Sequence, residues 1–267
     1  MKISLINCRS LLNRSKLSRI NFTLNPYLGC FHRCLYCYVP CFFQSLGKKC
    51  DQELKVKINA PQILSKELKR IKRGSIFISS STDPYGPQEK KYQITRQCLV
   101  ELLNFPGKII LLTKSPLVLR DLDLLKKIKN LEVGFSLSTL NEKIRKIFEP
   151  NASPIKERIF ALKSLKKARV KIYVFVAPLL PYFTERKENL LPLFKELEKV
   201  NPSYLLIDRL NYQKFLEKKK EFRELFQKNH PFKKAFLDSQ KKGYPLKLKR
   251  ELKKILRNFS FTYQILF

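Results

Sequence analysis

Short runs of apolar residues alternate with longer amphipathic segments from about residue 20 onward. Most of the short runs are almost continuously apolar, which is typical of strands that are buried on both faces of a parallel sheet. This pattern predicts strands at 20–24, 75–79, 108–112, 131–137, 171–176 and 204–207.

The segments between these strands have helical periodicity. Between 154 and 168, residues such as Ile155, Ile159 and Leu162 recur at the spacing of one helix face, with Lys and Arg between them. Strands that alternate with helices predict a parallel sheet with right-handed crossovers. We therefore expect an α/β fold with six strand–helix units, a partial (β/α)6 TIM-like barrel.

The chain has no Pro-, Gly- or Ser-rich linker that would divide it into separate domains. We expect a basic N-terminal segment at 1–19, the partial barrel at 20–210 and a C-terminal extension at 211–267. The extension is basic and has a mostly helical pattern. Its last residues, 259–267, are rich in β-branched and aromatic types, which predicts a closing strand.

The formal net charge is +33, with 55 Lys and Arg against 22 Asp and Glu. A charge of this size attracts polyanions, so DNA or RNA is the substrate class that it favours. The basic residues are spread along the whole chain rather than gathered into one stripe. A lysine-rich surface without any role in nucleic-acid binding is therefore the alternative.

The chain contains seven cysteines, whose number bears on whether they form disulfides or bind a metal. An odd number of cysteines in a chain without a secretory signal points to metal ligation or buried thiols rather than to disulfides. No apolar stretch approaches the roughly 20 residues that a membrane span needs. We expect a cytoplasmic protein that does not cross a membrane, and the sequence does not predict its oligomeric state.

The strongest chemical signal follows the first predicted strand. Cys30, Cys34 and Cys37 are separated by three and two residues, so one loop can wrap three thiolates around a metal centre. Three ligands suit a four-iron cluster that keeps one iron open, as catalytic zinc sites keep an open position. Cys41 would close the site as a fourth ligand of a structural zinc or an electron-transfer cluster. We interpret His32 as a group that structures the loop.

Polar residues also follow the other predicted strands. Thr82 and Asp83 follow the second strand, and Lys114 follows the third. Ser136 lies in the fourth strand, and Asp208 follows the sixth. Because the carboxyl ends of parallel strands meet at one edge of a sheet, these residues predict a functional site there, although the same types are common in turns.

The cysteine spacing, with an aromatic residue directly before the third cysteine, resembles that of the radical S-adenosylmethionine (SAM) superfamily. The loop at 25–38 also resembles the cluster loop of the spore photoproduct lyase-like family, often called DNA repair photolyases. The resemblance covers about residues 20–185. Further stretches that resemble this family follow in the same order at 82–85, 113–115, 120–121, 135–138, 145–158 and 176–178.

The resemblance implies that Cys30, Cys34 and Cys37 hold a [4Fe–4S] cluster whose free iron binds S-adenosyl-L-methionine. One electron, from a donor such as ferredoxin or flavodoxin, then releases a 5′-deoxyadenosyl radical that abstracts hydrogen from a substrate. Lys114 is expected to pair with the carboxylate of SAM. The full set of expected SAM contacts is Tyr36, Tyr38, Thr82, Lys114 and Ser136. A packing role for Tyr36, a solvated Lys114 and a strand-bonded Ser136 are the alternatives.

One departure from the family pattern concerns the return of hydrogen to the product. Spore photoproduct lyases carry a cysteine near the end of the second strand, and Ser80 occupies that place here. A serine O–H bond is too strong to donate a hydrogen atom usefully. Cys98 is the nearest spare thiol, but it shares a helical face with leucines and is predicted to lie in the core. Cys8 and Cys50 have no motif spacing.

Three functions are consistent with the sequence. The first is a radical SAM enzyme that abstracts hydrogen from a nucleic-acid base or lesion. The second is the same chemistry on a peptide or a small molecule, with an incidental basic surface. The third is a non-enzymatic nucleic-acid-binding protein that is stapled by a closed metal site including Cys41.

Overall fold

Strands and helices alternate along the chain in the computed structural model, which describes residues 1–45, 53–71 and 73–267. In chain order, the strands of this part are β1 (Ile3–Ile6), β2 (Leu12–Arg14), β3 (Phe22–Leu24), β4 (Tyr27–Leu28), β5 (Leu54–Lys57), β6 (Ser75–Ile78), β7 (Lys108–Thr113), β8 (Leu131–Ser136), β9 (Lys171–Leu179), β10 (Tyr204–Arg209) and β11 (Tyr263–Ile265).

The helices of the described part all lie between β4 and β11 along the chain. They are α1 (Val39–Ser45), α2 (Ala60–Leu68), α3 (Glu89–Tyr92), α4 (Ile94–Glu101), α5 (Leu122–Leu125), α6 (Glu142–Phe148), α7 (Ile155–Lys167), α8 (Lys187–Val200), α9 (Gln213–Leu216), α10 (Lys220–Lys228), α11 (His230–Asp238) and α12 (Tyr244–Leu256), with a 3-10 helix at Pro116–Asp121. None of these helices is long and apolar enough to cross a membrane.

All six strands that the apolar runs predict are present, as β3, β6, β7, β8, β9 and β10. The clearest case is β8, which is buried along its whole length, as a strand covered on both faces must be. The predicted helix at 154–168 corresponds to α7, which buries Ile155, Leu162 and Leu165. The α/β class with six strand–helix units is therefore confirmed.

The chain divides into two units that are interleaved along the sequence. By contrast, the sequence-based division at residues 20 and 210 follows chain order, and it stays a prediction. The first unit consists of Met1–His32, Cys50–Phe135 and Asn151–Ile172, and the second consists of Arg33–Lys49, Ser136–Pro150 and Tyr173–Phe267.

The first unit contains the parallel strands that carry one part of the site. β3, β6, β7 and β8 are parallel neighbours, and β2 pairs antiparallel with β3. A smaller sheet places β5 between β1, to which it is parallel, and β4, to which it is antiparallel. Because β6 and β7 run in register, Ile78 opposite Leu111, their carboxyl ends bring the following polar residues to one edge.

The second unit combines parallel strands with a core rich in phenylalanine. β10 pairs in parallel with β9 and with β11, the last strand of the chain. The helices of the C-terminal region bury aromatic rings against one another and against α6. Leu35 and Tyr36 of the cysteine loop pack on this cluster. Its buried aromatic members are Phe148, Phe222, Phe226, Phe232 and Phe236.

Candidate active site

Asp83 is the centre of a hydrogen-bond network at the carboxyl ends of β6 and β7. Its side chain is buried, and its Oδ1 accepts hydrogen bonds from Thr113 Oγ1 at 2.7 Å and from the backbone N–H of Tyr85 at 2.9 Å. Its Oδ2 accepts from the backbone N–H of Lys114 at 2.8 Å and lies 3.5 Å from Nδ1 of His32. One carboxylate thus links the end of β7 to the cysteine loop.

His32 is the member of the cysteine loop that Asp83 contacts. The imidazole is buried, and in sequence it stands between Cys30 and Cys34. This contact joins the cysteine loop to the carboxyl end of β6, as expected for a group that structures the loop.

The backbone directly before Cys30 is held in two ways. Gly29 has a φ of +82°, and a Cβ at this position would lie 2.5 Å from the carbonyl oxygen of Glu53, so only glycine fits. The hydroxyl of Thr82 donates a 2.6 Å hydrogen bond to the carbonyl oxygen of Gly29. Thr82, which is predicted to contact SAM, therefore fixes the entry to the cysteine loop.

A buried lysine supports the same region from β5. Lys57 donates a 2.8 Å hydrogen bond from Nζ to the carbonyl oxygen of Asn25. Burial lowers the pKa of Lys57, because the charged form loses its hydration. The side chain of Asn25 in turn donates to Oγ of Ser80 at 3.1 Å and accepts from the N–H of Ser81 at 3.0 Å. Ser80 is thus bonded to the residues that precede the cysteine loop.

A second buried network lies beside the first, and its member Glu89 was not predicted from the sequence. Glu89 and Asp121 are fully buried, and Arg120 pairs with both, at 2.7 and 2.8 Å. Tyr27 donates to Glu89, and Tyr85 donates to Asp121 at 3.1 Å. Burial, and then the charge of Asp121, raise the pKa of Tyr85. The tyrosines of the 25–38 and 82–85 stretches are therefore anchored by acidic residues that no local spacing reveals.

In the second unit, the cysteine loop makes a tight turn. The backbone N–H of Cys37 donates to the carbonyl oxygen of Cys34 at 3.0 Å. The N–H of Leu35, inside the turn, donates to the carbonyl oxygen of Phe148 at 2.9 Å, and its own carbonyl oxygen accepts from Lys219 Nζ at 2.9 Å. A residue of the C-terminal region thus holds the turn that carries two of the predicted ligands.

Tyr36, one of the expected SAM contacts, has a defined hydrogen-bond partner. Its hydroxyl donates to the buried carboxylate of Glu149, at the end of α6. Arg145 donates to the backbone carbonyl oxygen of Glu149 at 2.8 Å and pairs with Glu142 at 2.6 Å. The side chain of Tyr36 therefore has its hydroxyl fixed by Glu149 and packs against the phenylalanine cluster.

Two other predicted SAM contacts lie elsewhere in the second unit. Tyr38 stacks on Tyr212, with ring centroids 5.7 Å apart and planes inclined by 16°. Both residues are partly exposed, with exposed fractions of 41% and 48%. Ser136 is buried and donates a 3.1 Å hydrogen bond to the carbonyl oxygen of Ala177 in β9. A role of either residue in SAM binding stays a prediction.

The cysteines differ clearly in environment. Cys30, Cys34, Cys37 and Cys41 are partly exposed, and none of them forms a disulfide. Within the described part of the chain, no three His, Cys, Asp or Glu side chains are close enough to identify a metal site from distances alone. The three-cysteine ligand set, and the alternative that includes Cys41, therefore stay predictions from the sequence.

Of the remaining cysteines, Cys98 and Cys8 have defined surroundings in the structure. Cys98 is buried, which confirms its predicted place in the core, and burial raises the pKa of its thiol. The N–H of Cys8 donates a 2.8 Å hydrogen bond to the side-chain oxygen of Asn59. Cys50 lies outside the described residues.

Comparison with known families decides the class of this site. The profile of the radical SAM superfamily matches residues 24–193, more than half of the chain and all of the cysteine loop. The protein belongs to the radical SAM superfamily. It is therefore a radical SAM enzyme, and this membership implies an iron–sulfur cluster and SAM.

Several relatives share this radical SAM region. An uncharacterized protein of Methanocaldococcus jannaschii is 35% identical over 183 residues, which cover 68% of this chain and 69% of that protein. An uncharacterized protein of Acidianus two-tailed virus is 34% identical over 66% of this chain and 62% of its own length. A radical SAM Nalpha-GlyT isomerase of Pseudomonas phage M6 is 24% identical over 76% of this chain, which spans only 45% of that relative.

Solved structures show the same fold. A cysteine-to-serine variant of spore photoproduct lyase superposes with a TM-score of 0.75 over 99% of this chain and 82% of that chain, at 18% identity. SuiB of Streptococcus suis bound to its precursor peptide gives a TM-score of 0.60 over 99% of this chain and 48% of that chain, at 13% identity. The predicted partial TIM-like barrel is thereby confirmed.

Proposed function

We propose that Cys30, Cys34 and Cys37 hold a [4Fe–4S] cluster with one iron open to SAM. Thiolates are the ligands that such clusters require, and the spacing places three of them on one loop. The turn between Cys34 and Cys37 brings two backbone positions together, and Gly29 allows the close approach of the chain before Cys30. These features fit a loop that wraps around a cluster.

When bound and reduced, the cluster would supply the one electron that breaks the S–C5′ bond of SAM, which gives methionine and a 5′-deoxyadenosyl radical. The protein would supply orientation. Lys114, whose backbone is fixed by Asp83, would pair with the carboxylate of SAM. Tyr36, whose hydroxyl is fixed by Glu149, would present its ring to adenine. Thr82 holds the loop backbone through Gly29 and would reach the cofactor from the same strand end.

The proposed substrate is a base or a lesion in a nucleic acid. The net charge of +33 favours a polyanionic substrate. The exposed stack of Tyr38 and Tyr212 offers aromatic faces on which a base can stack. Among proteins of similar fold, spore photoproduct lyase has been crystallised with a dinucleoside spore photoproduct. The observation that carries the proposal is the cysteine loop within the radical SAM region, followed directly by an exposed aromatic stack.

A peptide substrate is the second candidate, because SuiB, which has the same fold, was crystallised with its precursor peptide. Comparing substrates directly would separate the two. The anaerobically reconstituted protein is supplied with SAM and a reductant, either dithionite or a ferredoxin or flavodoxin. Single-stranded DNA, duplex DNA, RNA or a pool of random peptides is then added. We expect nucleic acid to raise 5′-deoxyadenosine formation several-fold above the substrate-free rate, and peptides to leave it unchanged.

The variant Tyr212→Ala tests this proposal, because it removes the stacking partner of Tyr38 while leaving the three predicted cysteine ligands in place. It should weaken the response to nucleic acid while leaving the substrate-free rate near that of the wild type. If peptides raise the rate of 5′-deoxyadenosine formation and nucleic acids do not, the proposed substrate would be a peptide. One zinc and no iron per chain, after anaerobic purification, would instead support the closed metal site with Cys41.

A further inference from the structure

A cavity of about 730 Å³ lies at the amino ends of β7 and β8, within the first unit. This is the edge of the sheet opposite to the one that carries Asp83 and Lys114. Its polar lining is almost entirely cationic, with Glu132 as its one carboxylate. The cations of this basic edge are Lys108, Lys126, Lys127, Lys129, Arg169 and Lys171.

The one carboxylate of the cavity does not neutralise the basic edge. Glu132 is buried, and its two oxygens accept from Lys108 at 2.8 Å and from Lys171 at 2.6 Å. Two cations therefore share one negative charge. In the described part of the chain, the other four cations have no ion pair. All four are exposed to solvent.

Helix dipoles explain only part of this charge. Lysines in the last turn of a helix interact favourably with its negative end, and Lys126 directly follows α5. Lys108 and Lys171, however, are the first residues of strands. Arg169, which has a φ of +62°, lies in the connection between α7 and β9. The strands and the connection between α7 and β9 thus contribute cations that helix dipoles do not explain.

The form of the edge indicates the kind of anion. Exposed, long side chains spread over an open cavity suit an extended polymer with repeated phosphates better than one enclosed anion, which would need convergent buried donors. We propose that the basic edge binds the phosphate backbone of a nucleic acid, away from the catalytic end. The proposal rests on the nucleic-acid part of the proposed function but not on its radical chemistry.

The length of β7 sets the scale of this interaction. From Lys108 to Thr113 the strand has six residues, which corresponds to roughly 17 Å at about 3.3 Å per step. Because Lys114 follows this strand, a base near Lys114 and a phosphate at Lys108 belong to different parts of the nucleic acid. The basic edge would hold flanking nucleotides, so a dinucleotide should not contact it while an oligonucleotide should.

The test uses a triple variant, Lys126→Gln with Lys127→Gln and Lys129→Gln, in the full chain. Its matched control removes the same charge from the exposed surface of the second unit, by Lys242→Gln with Lys247→Gln and Lys253→Gln. Affinity for a fluorescent 30-nucleotide duplex is measured from 50 to 300 mM salt. Each lost phosphate contact reduces the magnitude of the slope of log K against log salt by about 0.9. The slope of the triple variant should therefore be smaller in magnitude than that of the wild type by about 2 to 3.

Equal losses in the triple variant and in its control would show that only net charge matters and would overturn the proposal. An unchanged slope in the triple variant would overturn it as well. Failure of the wild type to bind any nucleic acid would also remove the nucleic-acid part of the proposed function. Formation of 5′-deoxyadenosine without substrate, which needs neither set of lysines, reports separately on the radical chemistry.

Discussion

His32 Nδ1 lies 3.5 Å from Oδ2 of Asp83, which joins the cysteine loop to the carboxyl end of β6. The same carboxylate accepts hydrogen bonds from Thr113 and from the backbone of Lys114, at the end of β7. The predicted cluster loop and the predicted carboxylate-binding lysine are therefore positioned by one buried side chain. Asp83 does not need to touch substrate or cofactor to control both.

The variant Asp83→Asn should disconnect these elements. An amide offers one acceptor oxygen instead of two, so at least one buried donor loses its partner, at a cost of about 1–3 kcal/mol. We expect a lower iron content after reconstitution and weaker SAM binding, measured by iron analysis and by equilibrium binding. The exposed Asp238→Asn variant, which loses only its ion pair with Lys241, is the control and should match the wild type. Equal iron content and SAM affinity in both variants would argue against a positioning role for Asp83.

The cysteines provide a matched set of substitutions. Cys34→Ala should abolish the brown colour of the reconstituted protein, because a predicted ligand is lost. Cys98→Ala should keep the colour and destabilise the fold by about 1 kcal/mol, because it empties part of the core. Cys41→Ala should keep both colour and stability. Iron analysis and visible absorption check these outcomes, and an unchanged iron count in Cys34→Ala would refute the ligand assignment.

The phenylalanine cluster should be energetically central to the second unit. Phe232 is fully buried and packs against Phe222, Phe226 and Phe236. Phe232→Ala should therefore lower the free energy of unfolding by about 3–5 kcal/mol in urea titrations. The control is Phe160→Ala on α7, where the ring is 64% exposed, and it should change stability by less than about 0.5 kcal/mol. Similar small losses in both variants would contradict the packing described here.

Lys57 should make stability depend on pH. Burial lowers its pKa in the folded state, so the unfolded chain holds this proton more tightly. Stability then rises with pH between the lowered pKa and the ordinary lysine value of about 10.4. The stability of the wild type relative to Lys57→Met should increase from pH 7 to about pH 9.5, as measured by urea unfolding. A difference that is the same at both pH values would show that burial does not shift this pKa.

The sequence was sufficient to predict the main strands, because each is a nearly continuous apolar run. It did not predict the small sheet, since polar residues interrupt both short strands: β1 contains Ser4, and β5 contains the buried Lys57. A lysine in a short apolar run predicts a side chain that faces solvent. Lys57 is buried instead, and its Nζ donates a hydrogen bond to the carbonyl oxygen of Asn25.

The residues of the site likewise divide into those that local sequence patterns predict and those whose contacts form only in the folded chain. Thr82 and Lys114 were predicted as site residues because polar residues at strand ends gather at one edge. Glu89 could not be found, because it is an ordinary acidic residue in a short helix until the fold brings Tyr27 and Arg120 to it. The hydrogen bond of Ser136 to Ala177 depends on an adjacent strand, so the sequence left it open.

We expect the cysteine loop to support radical SAM chemistry. The most direct measurement is anaerobic reconstitution with iron and sulfide, followed by dithionite, SAM and chromatographic detection of 5′-deoxyadenosine. We expect the wild type to form this product and Cys30→Ala to form none. A wild-type protein that carries a full complement of iron and sulfide, yet forms no 5′-deoxyadenosine with or without added nucleic acid, would contradict this expectation.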